Sequence, residues 1–251
     1  MKKILLLSVL VIFSCSGGDD SVYNNSSNYK LVDTINISWI DNETDPPTQY
    51  QDNLTYNYDG NKLLNITNGI YINNYTYNDN NQISAVYLSA GDYAEFEYDN
   101  QGRISVYTYT DIDDNPPGQP SIDVANFVYN QDGSAVQTWQ GQGDNQPDFI
   151  YSFDQNGNVT TVINADNSEM YYTYDNKNNP FKNILGNSFF INLWFNALYY
   201  IPALNNNVIT AENENNIFFY SYDEDDYPIS INSPNGAAER SNIQATITYI
   251  N

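Results

Sequence analysis

The chain has no histidine and a single cysteine among its 251 residues, and these two shortages exclude several classes of active site. Without histidine there is no imidazole base to activate a serine or cysteine nucleophile, and the sequence contains no Gly-x-Ser-x-Gly motif. A zinc site built from Cys and His ligands is excluded by the same count. A disulfide bond within the chain is excluded as well. An enzyme with this sequence would have to rely on pairs of carboxylates, as glycoside hydrolases do.

Basic residues are also scarce. Lys and Arg total 8 against 31 Asp and Glu, and the formal net charge is −23 at pH 7. Binding to nucleic acid or to anionic lipid headgroups requires clustered Lys and Arg, so this composition argues against both kinds of partner. The negative charge is typical of a soluble surface, and it would also attract metal cations or basic partners.

The main long apolar run, residues 4–13, follows the basic start Met1-Lys2-Lys3. A run of this length is too short to cross a bilayer, and a basic start before such a run is typical of a secretory signal. The sequence therefore predicts a signal peptide over residues 1–14. Residues 15–28 are rich in Ser, Asn, Gly and Asp, which predicts a flexible tether.

The cysteine at the end of the signal segment resembles the lipid acceptor of bacterial lipoproteins. Residues 12–15, Ile-Phe-Ser-Cys, resemble a lipobox, and the Cys-Ser-Gly-Gly-Asp-Asp stretch that follows is similar to the start of outer-membrane lipoproteins of the Bacteroidetes type. The resemblance implies a lipid anchor on Cys15 in the outer membrane, with the protein facing the cell exterior. The alternative is ordinary cleavage near Ser14, which would leave Cys15 as a reactive free thiol.

Many of the 24 tyrosines and 11 phenylalanines belong to a short repeat. Seven times an aromatic residue, a small or polar residue and a second aromatic residue lead into a turn rich in Asp, Asn and Gly. The best copy is residues 96–104, Phe-Glu-Tyr-Asp-Asn-Gln-Gly-Arg-Ile. The second aromatic residues of the seven copies are Tyr58, Tyr77, Tyr98, Tyr129, Phe153, Tyr174 and Tyr222.

Each copy of the repeat predicts a β-hairpin. The alternation places both aromatic rings on one face of a strand, Asp can accept a backbone N–H two residues on, and Gly supplies the positive φ of the turn. We expect one all-β domain over residues 29–251, built from consecutive antiparallel hairpins in a curled or superhelical sheet. The returning strands are predicted to direct an apolar residue into the core: Ile83, Ile104, Val136, Val159 and Ile229.

Residues from about 181 to 207 form the least repeat-like part of the domain. We interpret them as a short helical or irregular cap over the aromatic face of the sheet, and the alternative is an exposed surface that binds a partner. The apolar residues with helical spacing, which predict an amphipathic helix ending at Pro202, are Phe190, Leu193, Trp194, Ala197, Leu198 and Ile201.

The pattern Tyr-x-Tyr-Asp-x-x-Gly-x-Ile, which covers most of residues 50–231, resembles the YD repeat of Rhs-type proteins. With the lipoprotein-like start, the whole chain is similar to YD-repeat surface lipoproteins of the Bacteroidetes type. In large Rhs-type proteins such repeats form a β-shell around a toxin or act in cell-surface contact. The resemblance implies β-hairpin architecture here, but the chain is short for a closed shell.

Two acidic loops are candidate cation sites, and Ca²⁺ is the cofactor that they would hold, because it prefers several oxygen ligands. The denser loop contains Asp111, Asp113 and Asp114, and the second spans residues 223–226. Neither loop has the spacing of an EF-hand. The alternative is that both loops are ordinary solvated turns.

Four aromatic residues outside the paired positions, Tyr107, Tyr109, Trp139 and Tyr227, are candidates for a face that stacks on sugars. The paired tyrosines are instead expected in the core, where burying an aromatic side chain contributes roughly 2–3 kcal/mol. The sequence therefore predicts a non-catalytic surface module that binds a glycan, a protein or a cation, and no nucleic acid. The alternatives are a carboxylate-dependent glycan hydrolase and a purely structural envelope protein.

Overall fold

β-Strands make up most of the computed structural model, which describes residues 29–42, 44–112, 119–140, 149–195, 204–211, 216–234 and 240–250. The elements in chain order are β1 (Leu31–Asp41), β2 (Thr48–Asp59), β3 (Lys62–Thr67), β4 (Ile72–Tyr77), β5 (Ile83–Tyr87), β6 (Tyr93–Tyr98), β7 (Ile104–Asp111), β8 (Ser121–Tyr129), β9 (Ala135–Gln140), β10 (Phe149–Phe153), β11 (Val159–Ile163), β12 (Glu169–Tyr171), β13 (Thr173–Tyr174), α1 (Asn192–Phe195), β14 (Val208–Ala211), β15 (Asn216–Ile217), β16 (Phe219–Tyr222), β17 (Pro228–Ser233) and β18 (Arg240–Ile250).

Among the described residues, one antiparallel sheet contains 15 strands in the order β12-β11-β10-β9-β8-β7-β6-β5-β4-β3-β2-β1-β18-β17-β16. From β1 to β12 each strand pairs with the next strand in the chain, which confirms the predicted all-β architecture of consecutive hairpins. The last strand, β18, returns to pair with the free side of β1. A second sheet, β13-β14-β15, continues from β12 and leads into β16.

Most turns of the repeat hairpins share one hydrogen-bonding scheme. In the best copy, the Asp99 N–H donates to the Arg103 carbonyl (2.8 Å) and the Gly102 N–H to the Asp99 carbonyl (3.0 Å), with Gly102 at φ 78°. The Asp99 carboxylate accepts the N–H groups of Gln101 and Arg103, each at 2.9 Å. The residue after the second aromatic accepts two backbone N–H groups in the same way in five of the described turns, at Asn78, Asp99, Asp154, Asp175 and Asp223.

A one-residue bulge in these hairpins decides which residue of the returning strand enters the core. Tyr98 pairs with Ile104, six residues further on, and the register shifts by one residue between Glu97 and Tyr98. The left-handed turn residue produces this bulge. At the same offset, buried residues lie opposite the second aromatic at Ile83, Ile104, Ala135, Val159 and Pro228.

The predictions for Val136 and Ile229 were therefore wrong, whereas those for Ile83, Ile104 and Val159 are confirmed. Val136 and Ile229 lie one position past the buried residue, and Ile229 is 43% exposed. The six-residue register, which a bulge accompanies at Tyr222 but not at Tyr129, places the small Ala135 and the ring of Pro228 in the core in place of the larger aliphatic neighbour.

At three copies of the repeat, the hydroxyl of the tyrosine at the second aromatic position, Tyr77, Tyr98 or Tyr174, bonds to the backbone of the preceding hairpin. The Tyr98 hydroxyl donates to the Ile83 carbonyl at 2.6 Å, and the Tyr77 hydroxyl accepts the Leu63 N–H at 2.9 Å. Burial raises the pKa of Tyr77 to about 12. These hydroxyls stay protonated at neutral pH and tie successive copies of the repeat together.

Asp99→Ala is expected to lower the free energy of unfolding by about 1 kcal/mol, because two backbone N–H groups lose their acceptor. Asp99→Asn keeps that acceptor, as Asn78 does naturally, but loses the bonds from the Arg103 guanidinium to the carboxylate (2.6 and 2.8 Å). Its effect should be smaller. Urea unfolding at pH 7 measures both.

The effect of Asp99→Asn should depend on pH. Burial acts to raise the pKa of Asp99, but the hydrogen bonds from Arg103 and Gln101 outweigh it and hold the pKa below its ordinary value. A lowered carboxyl pKa stabilises the fold above about pH 4, and this contribution is lost as the pH falls through the folded-state pKa. The difference between wild type and Asp99→Asn should shrink on acidification. An equal difference at pH 7 and pH 3 would contradict an ionic contribution.

The insertion lies inside the turn of the sixth repeat hairpin. Tyr174 pairs with Val208, whereas Tyr98 pairs with a residue only six positions on, so this turn carries 28 additional residues. The side-chain hydrogen bonds of the turn are retained despite the insertion, because the Asp175 carboxylate accepts the N–H groups of Lys177 (2.9 Å) and Asn207 (3.0 Å). Asn207 thus occupies the position that Arg103 has in the best copy.

Aromatic side chains of the inserted segment fill the inner face of the large sheet, which confirms the predicted cap. α1 supplies only residues 192–195 of the predicted helix, and residues 196–203 lie outside the described residues. The segment reaches strands from β2 to β10 through the ring pairs Phe181–Tyr56 (5.9 Å), Phe195–Tyr75 (5.7 Å), Trp194–Phe96 (6.5 Å), Phe190–Tyr107 (5.0 Å), Phe190–Phe127 (5.0 Å) and Phe189–Phe153 (4.9 Å).

The inserted segment also approaches the β4–β5 turn at backbone distance. A Cβ atom on Gly186 would lie 2.9 Å from the Ile83 nitrogen and 3.2 Å from the Asn81 carbonyl oxygen, and Gly186 has φ +74°. Only glycine fits both the space and the conformation. Nearby, the Leu185 N–H donates to the Asn61 carbonyl at 2.9 Å, so the segment is fixed to two turns of the large sheet.

Candidate functional site

A shallow depression of about 480 Å³ lies on the outer face of β2, β1, β18 and β17. We call its polar lining the amide face, because uncharged amide and hydroxyl side chains form it. Alternation along the strands sends Ile37, Ile231 and Ala245 to the core and leaves these polar neighbours outside. The amide face consists of Asn36, Ser38, Gln49, Gln51, Ser230, Asn232, Gln244 and Thr246.

Strand register arranges the amide face in rows that cross the strands. Gln51 lies opposite Ser38, Ser38 opposite Gln244, and Gln244 opposite Asn232. Asn232 in turn lies opposite Phe219 on the edge strand β16. Residues directly opposite one another project from the same face, so this row brings four uncharged polar side chains and one phenyl ring into line.

The side chains of the amide face make no hydrogen bond to any other described part of the chain. Elsewhere on the outer face, opposed polar residues do bond to each other. Asn57 donates to Asn65 at 2.8 Å, and the hydroxyls of Thr76 and Ser84 are 3.0 Å apart. The amide face therefore keeps its donors and acceptors for water or for a ligand.

The four aromatic residues proposed from the sequence lie elsewhere, and the structure gives them packing roles. Tyr107 is 6% exposed and its ring contacts Trp139 (5.8 Å). Burial raises the pKa of the Tyr107 hydroxyl above its ordinary value. Tyr109 and Trp139 are partly buried against the same core. Tyr227 is 5% exposed, and its hydroxyl accepts a hydrogen bond from Asn183 (2.7 Å).

Two lysines pair with three of the four carboxylates in the acidic loop at residues 223–226. Lys30 Nζ lies 2.8 Å from the Asp223 carboxylate and 2.6 Å from that of Asp225, and Lys177 Nζ lies 2.6 Å from Asp226. The hydrogen bond to Asp223, with that to Asp225, raises the pKa of Lys30 to about 12. These lysines occupy the place that a cation would take.

The other predicted site residues are described only in part. Asp111 ends β7, whereas Asp113, Asp114 and Cys15 lie outside the described residues. Across the described ranges, no group of three or more His, Cys, Asp or Glu side chains is placed to hold a metal ion. The described helix is too short to cross a membrane. The calcium, signal-peptide and lipidation assignments therefore stay predictions.

Sequence reasoning missed the amide face because each of its strands reads as an ordinary solvated strand. The signal in the sequence was the alternation of apolar and polar residues in residues 243–248, Ile-Gln-Ala-Thr-Ile-Thr, and in residues 34–40. No outward position in either stretch is charged, although the chain has a net charge of −23. Only the register of β1 with β18 shows that the two stretches share one surface.

A family described as the teneurin YD-shell matches residues 11–185. The chain belongs to the teneurin YD-shell family. This agrees with the YD-type turns, in which an Asp or Asn after the second aromatic residue holds the hairpin together. Together with the fold, it indicates a structural or surface β protein.

Among solved structures, this YD-shell chain is similar to a porin-like protein from Bacteroides uniformis ATCC 8492, with a TM-score of 0.53 and 14% identity over 87% of this chain and 96% of that one. At this identity the likeness shows the fold alone. It also matches TcdB2-TccC3 (TM-score 0.26, 12% identity, 59% of this chain) and TcdB2-TccC3-Cdc42 (0.23, 14%, 78%), in each case over 12% of the other chain. A search of curated protein sequences found no match.

In this YD-shell chain, the inner face of the sheet is occupied by the chain's own inserted segment. Phe195 is 1% exposed and Ile191 is fully buried there. The part of the inner face between β2 and β10 is therefore packed core, and a ligand has access to the outer face instead.

Proposed function

We propose that the protein is a non-catalytic, lipid-anchored protein of the outer membrane that faces the cell exterior and binds a glycan through the amide face. The observation that carries the proposal is the unpaired, uncharged polar lining of that face. Sugars are recognised largely by hydrogen bonds to their hydroxyl groups, and amide and hydroxyl side chains supply both donors and acceptors.

The surroundings of the amide face favour binding over catalysis. Hydrolysis of a glycosidic bond requires two carboxyl groups about 5–10 Å apart across the bond. None of the eight side chains of the amide face is ionisable. A ligand held there would meet hydrogen-bonding groups but no acid, base or nucleophile from the lining.

The lipid anchor is the second part of the proposal and depends on Cys15. The described fold begins just after the predicted tether, and Lys30 holds the start of β1 against the Asp223 turn. An anchored chain would thus be attached at the repeat-turn end of the sheet. The amide face lies on the side of the sheet, away from that attachment.

Staining of whole cells and a glycan array together test both parts. The full chain and Cys15→Ser are expressed in a Gram-negative host, and intact cells are stained with fluorescent glycans. We expect the full chain in the membrane fraction with glycan on the cell surface, and Cys15→Ser released from the membrane. If Cys15→Ser stays in the membrane fraction as the full chain does, the lipid anchor is contradicted. If the chain from residue 16 onward binds no glycan on an array, the binding role is contradicted.

A further inference from the structure

We infer that Phe219 is the stacking platform of the amide face and that the ligand is an uncharged oligosaccharide lying across the strands. The inference rests on the proposed glycan-binding function. It adds to that function a residue that determines specificity, the direction in which the ligand lies on the sheet, and the chemical class of the ligand.

Phe219 is exposed, although Phe218 is buried and Tyr220 is partly buried. Its side chain is 55% exposed, while Phe218 is 3% exposed and the Tyr220 hydroxyl donates to the Val208 carbonyl at 2.7 Å. Phe218 and Tyr220 thus anchor this edge of the sheet from the inside. Within the described residues, the ring of Phe219 contacts no other aromatic ring. It leaves an open aromatic surface beside a polar row.

The register places this ring where a sugar bound to the row would meet it. Phe219 lies opposite Asn232, which lies opposite Gln244. The apolar C–H face of a pyranose packs on the π-face of an aromatic ring, while its hydroxyl edge turns toward hydrogen-bonding groups. A sugar stacked on Phe219 would therefore present hydroxyls to Asn232, and the next sugars would reach Gln244 and Ser38.

The direction of the ligand follows from the same row. From β16 to β2 the row crosses four interstrand spacings of about 4.8 Å, which gives a length of about 19 Å. A row of this length accommodates several sugar residues in line. A ligand lying along the strands would instead meet only one or two of these side chains.

The charge of the protein determines the chemical class of the ligand. The lining contains no Lys or Arg to pair with a carboxylate or sulfate group, and the chain carries a net charge of −23. An acidic glycan would be repelled and would lose hydration without gaining a partner. Neutral oligosaccharides incur neither cost.

The test compares binding of maltohexaose, cellohexaose, xylohexaose and mannohexaose with binding of an oligogalacturonate hexamer by calorimetry. We expect at least one neutral hexasaccharide to bind and the oligogalacturonate not to bind. Phe219→Ala should weaken binding of that hexasaccharide about tenfold or more, and Phe219→Trp should retain it. Gln244→Ala should weaken it severalfold. The matched control is Tyr87→Ala, which removes another exposed ring (43% exposed) on β5, three strands away from β2, and should change nothing.

The outcomes separate this inference from the proposed function. If Gln244→Ala loses binding but Phe219→Ala does not, the stacking role is overturned while glycan binding by the amide face stands. If the protein prefers the oligogalacturonate, the inference that the ligand is uncharged is overturned. Absence of binding to all hexasaccharides overturns the proposed function and the inference together.

Sedimentation tests whether the face instead binds a second copy of this chain. If the wild type is a dimer and Phe219→Ala dissociates it, the face binds a second copy and the inference is overturned. Unchanged melting temperatures establish that the variants are folded.

Discussion

Phe195→Ala is expected to destabilise the protein by about 3–5 kcal/mol, the usual cost of emptying a phenylalanine site in a packed core. Phe195 is 1% exposed, and its ring packs against Tyr75 (5.7 Å) and Phe181 (6.1 Å). Its carbonyl accepts the Tyr56 hydroxyl at 2.8 Å, which holds the segment in place and limits collapse of the cavity. Denaturant unfolding followed by tyrosine fluorescence measures the change.

The control for Phe195→Ala is Phe219→Ala, since it makes the same chemical change at a ring that is 55% exposed. This variant should cost less than about 1 kcal/mol. Similar losses for both variants would contradict the conclusion that the inserted segment is part of the core. A loss for Phe195→Ala that appears as a separate early transition would show that the segment detaches before the sheet unfolds.

Asn158→Ala is the second large expected effect, with a loss of about 3 kcal/mol or more. Asn158 is fully buried, and its side-chain oxygen accepts the backbone N–H groups of Leu204 (3.2 Å), Asn205 (2.9 Å) and Asn206 (3.3 Å). Its amide nitrogen donates to the Asp154 carboxylate at 3.0 Å. Alanine leaves these groups without partners, and each unsatisfied buried group costs about 1–3 kcal/mol.

A matched control for Asn158→Ala exists two residues earlier in the same turn. Asn156 is exposed, and its side chain donates one bond, to the Asn206 side chain at 3.2 Å. Asn156→Ala should therefore cost less than about 1 kcal/mol. Thermal melts of the two variants beside wild type make the comparison. If both variants have the same melting temperature as wild type, Asn158 does not connect the inserted segment to the β10–β11 hairpin as described.

The hairpins could be predicted from the sequence because their determinants are local. Asp99, Gly102 and the two flanking aromatic residues lie within seven positions, and turn chemistry acts at that range. The register of the returning strand was less certain. The predictions of Val136 and Ile229 as core residues were wrong, since the six-residue register of the hairpin, and not side-chain size, decides which residue lies opposite the second aromatic.

The insertion and the amide face depend on partners far apart in the chain. Tyr174 reads as an ordinary repeat followed by the apolar Pro180, and nothing local shows that its partner is Val208. The amide face requires β1 to lie beside β18, although Asn36 and Thr246 are separated by most of the sequence. Pairing over such distances follows from the whole topology, which one sequence read segment by segment does not contain.

The pairing of β1 with β18 has a consequence for the order in which the molecule is made. Leu31 emerges from the ribosome long before Ile250, yet the two are partners. While the middle hairpins are synthesised, β1 can pair with β2 but keeps its other side open, and an open strand edge is a site for unwanted association. The nascent chain therefore carries this exposed edge until β18 has been synthesised and covers it.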